Sequence, residues 1–153
     1  MTRVTENGDE SRSFRSQAII RGMSMNWPKP THNHASEYQV SSWPWLTSSN
    51  VGTSAVQFSF GHVTRWLMIT NETPSGGSSK DVYFGFTQNG TNNSNHFHVL
   101  AGQTIGPIEV KCVGIWVKGS DATTPVTILA GLTNVAAGDF PVISGSNGFN
   151  GVG

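Results

Sequence analysis

The chain has 153 residues, enough for one domain with a real core and no need of disulfide or metal staples. Hydrophobic residues make up 36% and charged residues 12%, with a formal net charge of zero. That balance excludes a disordered chain, which carries high net charge and few aromatics, and argues against nucleic acid or an anionic membrane as partner, since either needs a basic surface.

The first 30 residues stand apart. Arg3, Arg12, Arg15 and Arg21 lie there, and Arg65 is the only other arginine. Met1 to Glu10 is polar and has no apolar signal core, so no secretory leader is expected. Gln17-Ala-Ile-Ile20 is a short apolar patch, and Asn26-Trp-Pro-Lys-Pro30 holds two prolines that forbid helix and favour an extended path. Residues 1–30 are read as an extended N-terminal attachment arm.

Residues 31–136 read as a sandwich domain. Glu37 to Val40 is a weak strand, and Ser42-Trp-Pro-Trp-Leu46 reads as a turn with aromatic anchors. Ser54 to Phe60 alternates, with Val56, Phe58 and Phe60 on one face; Val63 to Thr70 is a strong strand. Asn71 to Lys80 is a turn cluster with Pro74, Gly76 and Gly77. Asp81 to Thr87 sets Val82, Phe84 and Phe86 on one face, Gln88 to Asn95 is a polar loop, and His96 to Leu100 is a short strand.

From Pro107 to Lys118 the alternation changes phase. Ile108, Val110 and Cys112 share one parity, and Val113, Ile115 and Val117 the other. Either a β-bulge near Cys112 to Gly114 or two strands in different sheets explains it. In Thr124 to Asn134, Val126, Ile128, Ala130 and Leu132 fall on one face, the mark of a half-buried strand. Residues 137–153 are a Gly/Asn-rich C-terminal tail with no strand pattern, expected to run extended. No segment has a helical period, and no apolar run approaches the roughly 18 residues of a membrane span. The fold class expected is all-β, an antiparallel β-sandwich, jelly-roll-like, with an extended N-terminal arm and a Gly-rich C-terminal tail.

Candidate sites are few. His96 and His98 lie two residues apart in a strand, so both imidazoles project from one face. One chain supplies only two ligands there; the favoured reading is two solvent-facing histidines with Phe97 inward, and no metal or other cofactor is expected. His32 and His34 lie in a Pro-rich stretch without a scaffold. Trp27, Trp43 and Trp45 are candidates for sugar stacking, though Trp-Pro-Trp more often anchors a loop on a core or interface. The carboxylates Glu37, Glu72, Asp81, Glu109, Asp121 and Asp139 are isolated, with no spacing suited to a glycosidase pair. Cys112, the single cysteine, excludes an internal disulfide and reads as a small core hydrophobe rather than a reactive thiol. Asn89-Gly-Thr91 and Asn92-Asn-Ser94 fit the glycosylation acceptor pattern but are read as loop composition. No catalytic residue is assigned, and the chain is expected not to be an enzyme.

The runs Asp81-Val-Tyr-Phe-Gly-Phe-Thr87, His96-Phe-His-Val-Leu-Ala-Gly-Gln-Thr104, Val113-Gly-Ile-Trp-Val-Lys-Gly-Ser120 and Val126 to Asn134 resemble small structural proteins of tailed bacteriophages. They are similar to capsid decoration (cement) proteins and head-fibre bases, in pattern and composition over roughly residues 55–135. The resemblance implies a jelly-roll-like body, a homotrimer seated on the major capsid protein at the virion exterior, synthesis in the host cytoplasm, and attachment through an extended N-terminal segment. It carries no binding motif and therefore no functional residue. The alternative reading is a carbohydrate- or receptor-binding module of a virion fibre or knob, using the tryptophans and the polar 88–95 loop.

Overall fold

The structure, a computed structural model, describes residues 43–76 and 80–153. The arm, Trp27, His32, His34 and the strand expected at Glu37 to Val40 lie outside the described residues. Eight strands form two antiparallel four-stranded sheets. They are β1 (Trp43–Val51), β2 (Val56–Ser59), β3 (His62–Asn71), β4 (Val82–Gly85), β5 (Phe97–Val99), β6 (Thr104–Ile108), β7 (Gly114–Gly119) and β8 (Thr124–Ala136). One sheet has the order β1-β8-β3-β6 and the other β2-β7-β4-β5. The pairing is nested: first strand with last, second with seventh, third with sixth, fourth with fifth.

The core lies between the sheets. Leu67, Ile69, Ile128 and Ala130 from one meet Val82, Phe84, Ile115 and Val117 from the other, all fully buried. Each such side chain contributes roughly 1.5–3 kcal/mol by leaving water. The inward parity of β8 is the one its alternation predicts, Val126 to Leu132. At its far end the phase slips, because β8 and β3 change register between His62 and Trp66.

Four readings are corrected. Trp43 to Leu46 is not a turn but the start of β1. Pro44 sits in an edge strand, where a missing N–H costs little, and its register partner is Gly131. Gln88 to Asn95 is not all loop: Gln88–Asn92 forms a short helix, α1, capped by the Thr87 hydroxyl, which accepts from the Gly90 N–H at 2.9 Å. Five residues are too few for a helical period to register in the sequence. Val56, expected inward, is 47% exposed. The C-terminal segment is not extended over its length. It holds two 3-10 turns, Ala137–Asp139 and Gly145–Asn147, and folds back on α1. There the Thr87 hydroxyl donates to the Val152 carbonyl and the Asn95 amide to that of Gly151. A Cβ on Gly90 would stand 2.0 Å from the Val152 oxygen, so only glycine admits this approach.

The phase change between Pro107 and Lys118 is two strands in different sheets. β6 belongs to one sheet, β7 to the other, and residues 109–113 carry the chain across. The bulge lies earlier, opposite Met68, where Gly106 and Pro107 separate the inward residues Ile105 and Ile108. Gly106 has φ +116°, and a Cβ there would meet the Leu67 oxygen at 2.6 Å.

Where β3 leaves its sheet, Asn71 is fully buried. Its side-chain amide donates to the carbonyls of Lys80, at 2.7 Å, and Val99, at 3.0 Å, and its Oδ1 accepts from the Thr73 N–H at 3.0 Å. It thus ties β3 to β5 of the facing sheet. Asn71→Ala leaves those three groups without their partner and is expected to lower stability by about 2–4 kcal/mol. Urea unfolding of the variant beside the parent checks this; a loss under about 0.5 kcal/mol, typical of a surface change, refutes it.

Candidate functional site

Two surfaces combine exposure with unusual chemistry. The first is the outer face of β1-β8-β3-β6. Outward residues meet in register rows across the strands: Leu46, Leu129 and Met68 form one row, Pro44, Gly131 and Trp66 the next. The bulge adds Pro107 beside Met68 and Trp66, where a hollow of about 200 Å³ is closed by Glu109. A third row is made of hydroxyls: Ser48 bonds Thr127 at 2.7 Å, and Thr70 bonds Thr104 at 2.9 Å. Leu46 is 66% exposed. An antiparallel sheet that faces water carries polar residues outward; this one carries Leu, Met, Trp and Pro.

The second surface is the outer face of the other sheet. Gly85, where an added Cβ would meet the Thr91 hydroxyl at 2.6 Å, lets α1 settle directly on the strands. On one side of α1 lies a polar cluster around Tyr83. The His98 ring stacks on Tyr83 at 4.8 Å, the His96 ring meets it edge-on at 4.9 Å, and the Lys118 ammonium stands 5.5 Å from its centroid. His98 Nε2 lies 3.0 Å from Asp81 Oδ2. On the other side a groove of about 480 Å³ runs between β7, α1 and the C-terminal segment, with Trp116 in its wall.

The two histidines singled out in the sequence do share one face, but each ring packs on Tyr83. Among the described residues no group of three or more His, Cys, Asp or Glu is placed to hold a metal ion. Phe97 lies on the opposite side from them and stacks on Phe84 at 5.2 Å, yet is 53% exposed because β5 is an edge. Trp43 and Trp45 form no shared platform. Trp45 packs edge-on against Phe60 at 4.8 Å, and Trp43 edge-on against His62 at 5.0 Å. Among the described residues the carboxylates stay apart: Asp81 pairs with His98, and Asp121 lies 3.6 Å from Lys80; Glu37 lies outside the described residues. Glu72 and Glu109 line separate hollows. The Thr123 N–H, and secondarily the Lys80 charge, hold the exposed Asp121 carboxyl below its ordinary range.

Sequence reasoning passes over Trp66 and Trp116, the two tryptophans that line these surfaces. A signal was there. Each interrupts an aliphatic strand at the parity opposite the buried residues, Trp66 beside Leu67 and Trp116 between Ile115 and Val117. No protein-family model, curated protein or solved structure matches the chain.

Cys112 is fully buried in the core beside the Thr64 hydroxyl, at 3.4 Å. Burial pushes its thiol up from 9.0 to about 11, against the smaller opposing effect of Thr64. The folded state therefore holds its proton where the unfolded chain has lost it. The sign follows: the thiol's contribution is intact below about pH 9 and is lost as pH rises towards 11. Alkylation by iodoacetamide at pH 8 is expected to proceed only through unfolding, at a rate that tracks urea concentration. Prompt modification of the native protein contradicts the buried, protonated thiol.

Proposed function

We propose that this chain is a non-enzymatic structural protein of a virion, a decoration or cement protein that binds the major capsid protein and stabilises the shell. The outer face of the β1-β8-β3-β6 sheet carries the reading. Its rows of Leu46, Leu129 and Met68 and of Pro44, Gly131 and Trp66 give an apolar surface suited to burial against protein. The nested strand pairing supports a jelly-roll body, an architecture common in viral capsids. The zero net charge lets copies stand close together without mutual repulsion. The assembly proposed is a homotrimer, so that each particle presents three such faces. Contacts weak one by one then clamp neighbouring capsomers by multivalency. The arm at residues 1–30 is proposed as a second point of attachment.

The test is co-sedimentation of the full chain with expanded phage shells stripped of it, alongside light scattering of the free protein. Three chain masses and saturable shell binding are expected. Leu46→Glu with Met68→Glu places charge on the face without touching the core. Shell binding is expected to fall by about tenfold or more, with the melting temperature within a few degrees of the parent. Removal of residues 1–25 is expected to weaken shell binding while leaving the body folded. A double variant that binds shells as tightly as the parent refutes the docking face; a strict monomer that binds no shell refutes the whole reading.

A further inference from the structure

The groove beside Trp116 has a composition that a capsid-binding role does not require. Its apolar lining includes the half-buried Trp116 on β7, and Phe140, Pro141 and Val142 from the C-terminal segment, with Val142 70% exposed; Thr87 and Ser144 line it too. Three side-chain amides join that lining. Gln57 stands next to Trp116 across the β2–β7 ladder, and Gln88 and Asn89 open α1. Among the described residues the side chains of Gln57 and Gln88 have no hydrogen-bond partner; Asn89 Oδ1 accepts from Asn93 at 2.7 Å, which leaves its NH2 group available. Among the described residues no lining side chain is ionisable.

This combination selects a ligand class. A charged ligand would need a counter-charge, and among the described residues the lining side chains offer none. A purely apolar ligand would leave the exposed amides to water and gain nothing from them. A neutral sugar satisfies both parts. Its C–H face lies on an indole, and its hydroxyls, each donor and acceptor at once, match side-chain amides that are also both. The volume, about 480 Å³, falls within the roughly 300–1,000 Å³ of small-molecule sites. Hydrogen bonds tie the end of the C-terminal segment to the α1 side of the groove. Thr87 caps α1 and also donates to the Val152 carbonyl, and Asn95 holds the Gly151 carbonyl at 2.7 Å.

We propose that the groove between β7, α1 and the C-terminal segment binds a neutral oligosaccharide, with Trp116 as the stacking face and Gln57, Gln88 and Asn89 as the groups that read its hydroxyls. The site is separate from Trp43 and Trp45, and it stands whether or not the protein decorates a shell.

The test uses the full chain, isotopically labelled, titrated with neutral trisaccharides of glucose, N-acetylglucosamine, galactose and mannose up to about 10 mM, a range that detects millimolar affinity. Saturable shifts of the Trp116 indole and of the Gln57 and Gln88 amide signals are expected with at least one of them. Trp116→Ala is expected to weaken that binding by about tenfold or more. Should Trp116→Ala fold poorly, Gln57→Ala and Gln88→Ala change only exposed side chains, and each is expected to weaken binding by about three- to tenfold. Trp43→Ala is expected to leave it unchanged. Three results overturn the proposal: no neutral trisaccharide shifts these signals; binding survives the Gln57→Ala, Gln88→Ala double variant undiminished; or the signals respond to a synthetic peptide of residues 1–30 and to no sugar.

Discussion

The chain changes sheet at nearly every connection. Of the links between consecutive strands, only that from β4 to β5 stays within one sheet. Each crossing takes backbone past the edge of the core, where N–H and C=O groups leave one ladder before joining the next and must be paired by something other than a strand. Short polar side chains do this. Asn71 serves the departure of β3, and Thr64 serves the passage from β6 to β7. The Thr64 hydroxyl donates to the Val110 carbonyl at 2.6 Å and accepts from the Cys112 N–H at 3.0 Å. Thr133 fills the same role at the register slip of β8, donating to the Val63 carbonyl at 2.9 Å. Among the described residues the buried polar ones are six threonines and one asparagine, none of them charged. Without them the two sheets would still be apolar inside but would lack a fixed way to close.

The outer surfaces inherit their character from this arrangement. Because the pairing is nested, the middle strands of each sheet are β8 and β3, and β7 and β4. Their outward residues form the centre of each face. In one sheet these are Leu129, Met68 and Trp66, which make a flat apolar area. In the other they are Trp116, Lys118 and Tyr83, which α1 and the C-terminal segment partly roof. Among the described residues the same chain therefore presents an apolar face and a groove on opposite sides of one core.

The fold class was legible because inward parity is a local property. Val126 to Leu132 and Ile115 with Val117 fall where alternation puts them, and the phase change after Pro107 marked a real change of sheet. What escaped depended on partners distant in sequence. Trp43 to Leu46 reads as a turn until β8 lies beside it, since Pro44 is tolerable only at an edge. The fold-back of the tail depends on the missing side chain of Gly90, more than fifty residues earlier. The surfaces were harder still. Periodicity reports which residues are inside, and gives no reason to separate an outward Trp116 from an outward Lys118. His96 and His98 were correctly placed on one face, but only the Tyr83 ring between them decides what they do there.

The edges of the two sheets bear on crowding. One sheet ends in β1 and β6, each interrupted by a proline, Pro44 and Pro107, the second within a bulge. The other ends in β2 and β5, only four and three residues long. Among the described residues, only β1, regular from Trp45 to Val51, offers a longer row of edge backbone to a foreign strand. A protein with no net charge and an apolar face would otherwise be prone to polymerise into ribbons wherever its local concentration is high. With three of the four margins blunted in this way, contact between copies is steered towards faces, which saturate, and away from strand addition, which does not.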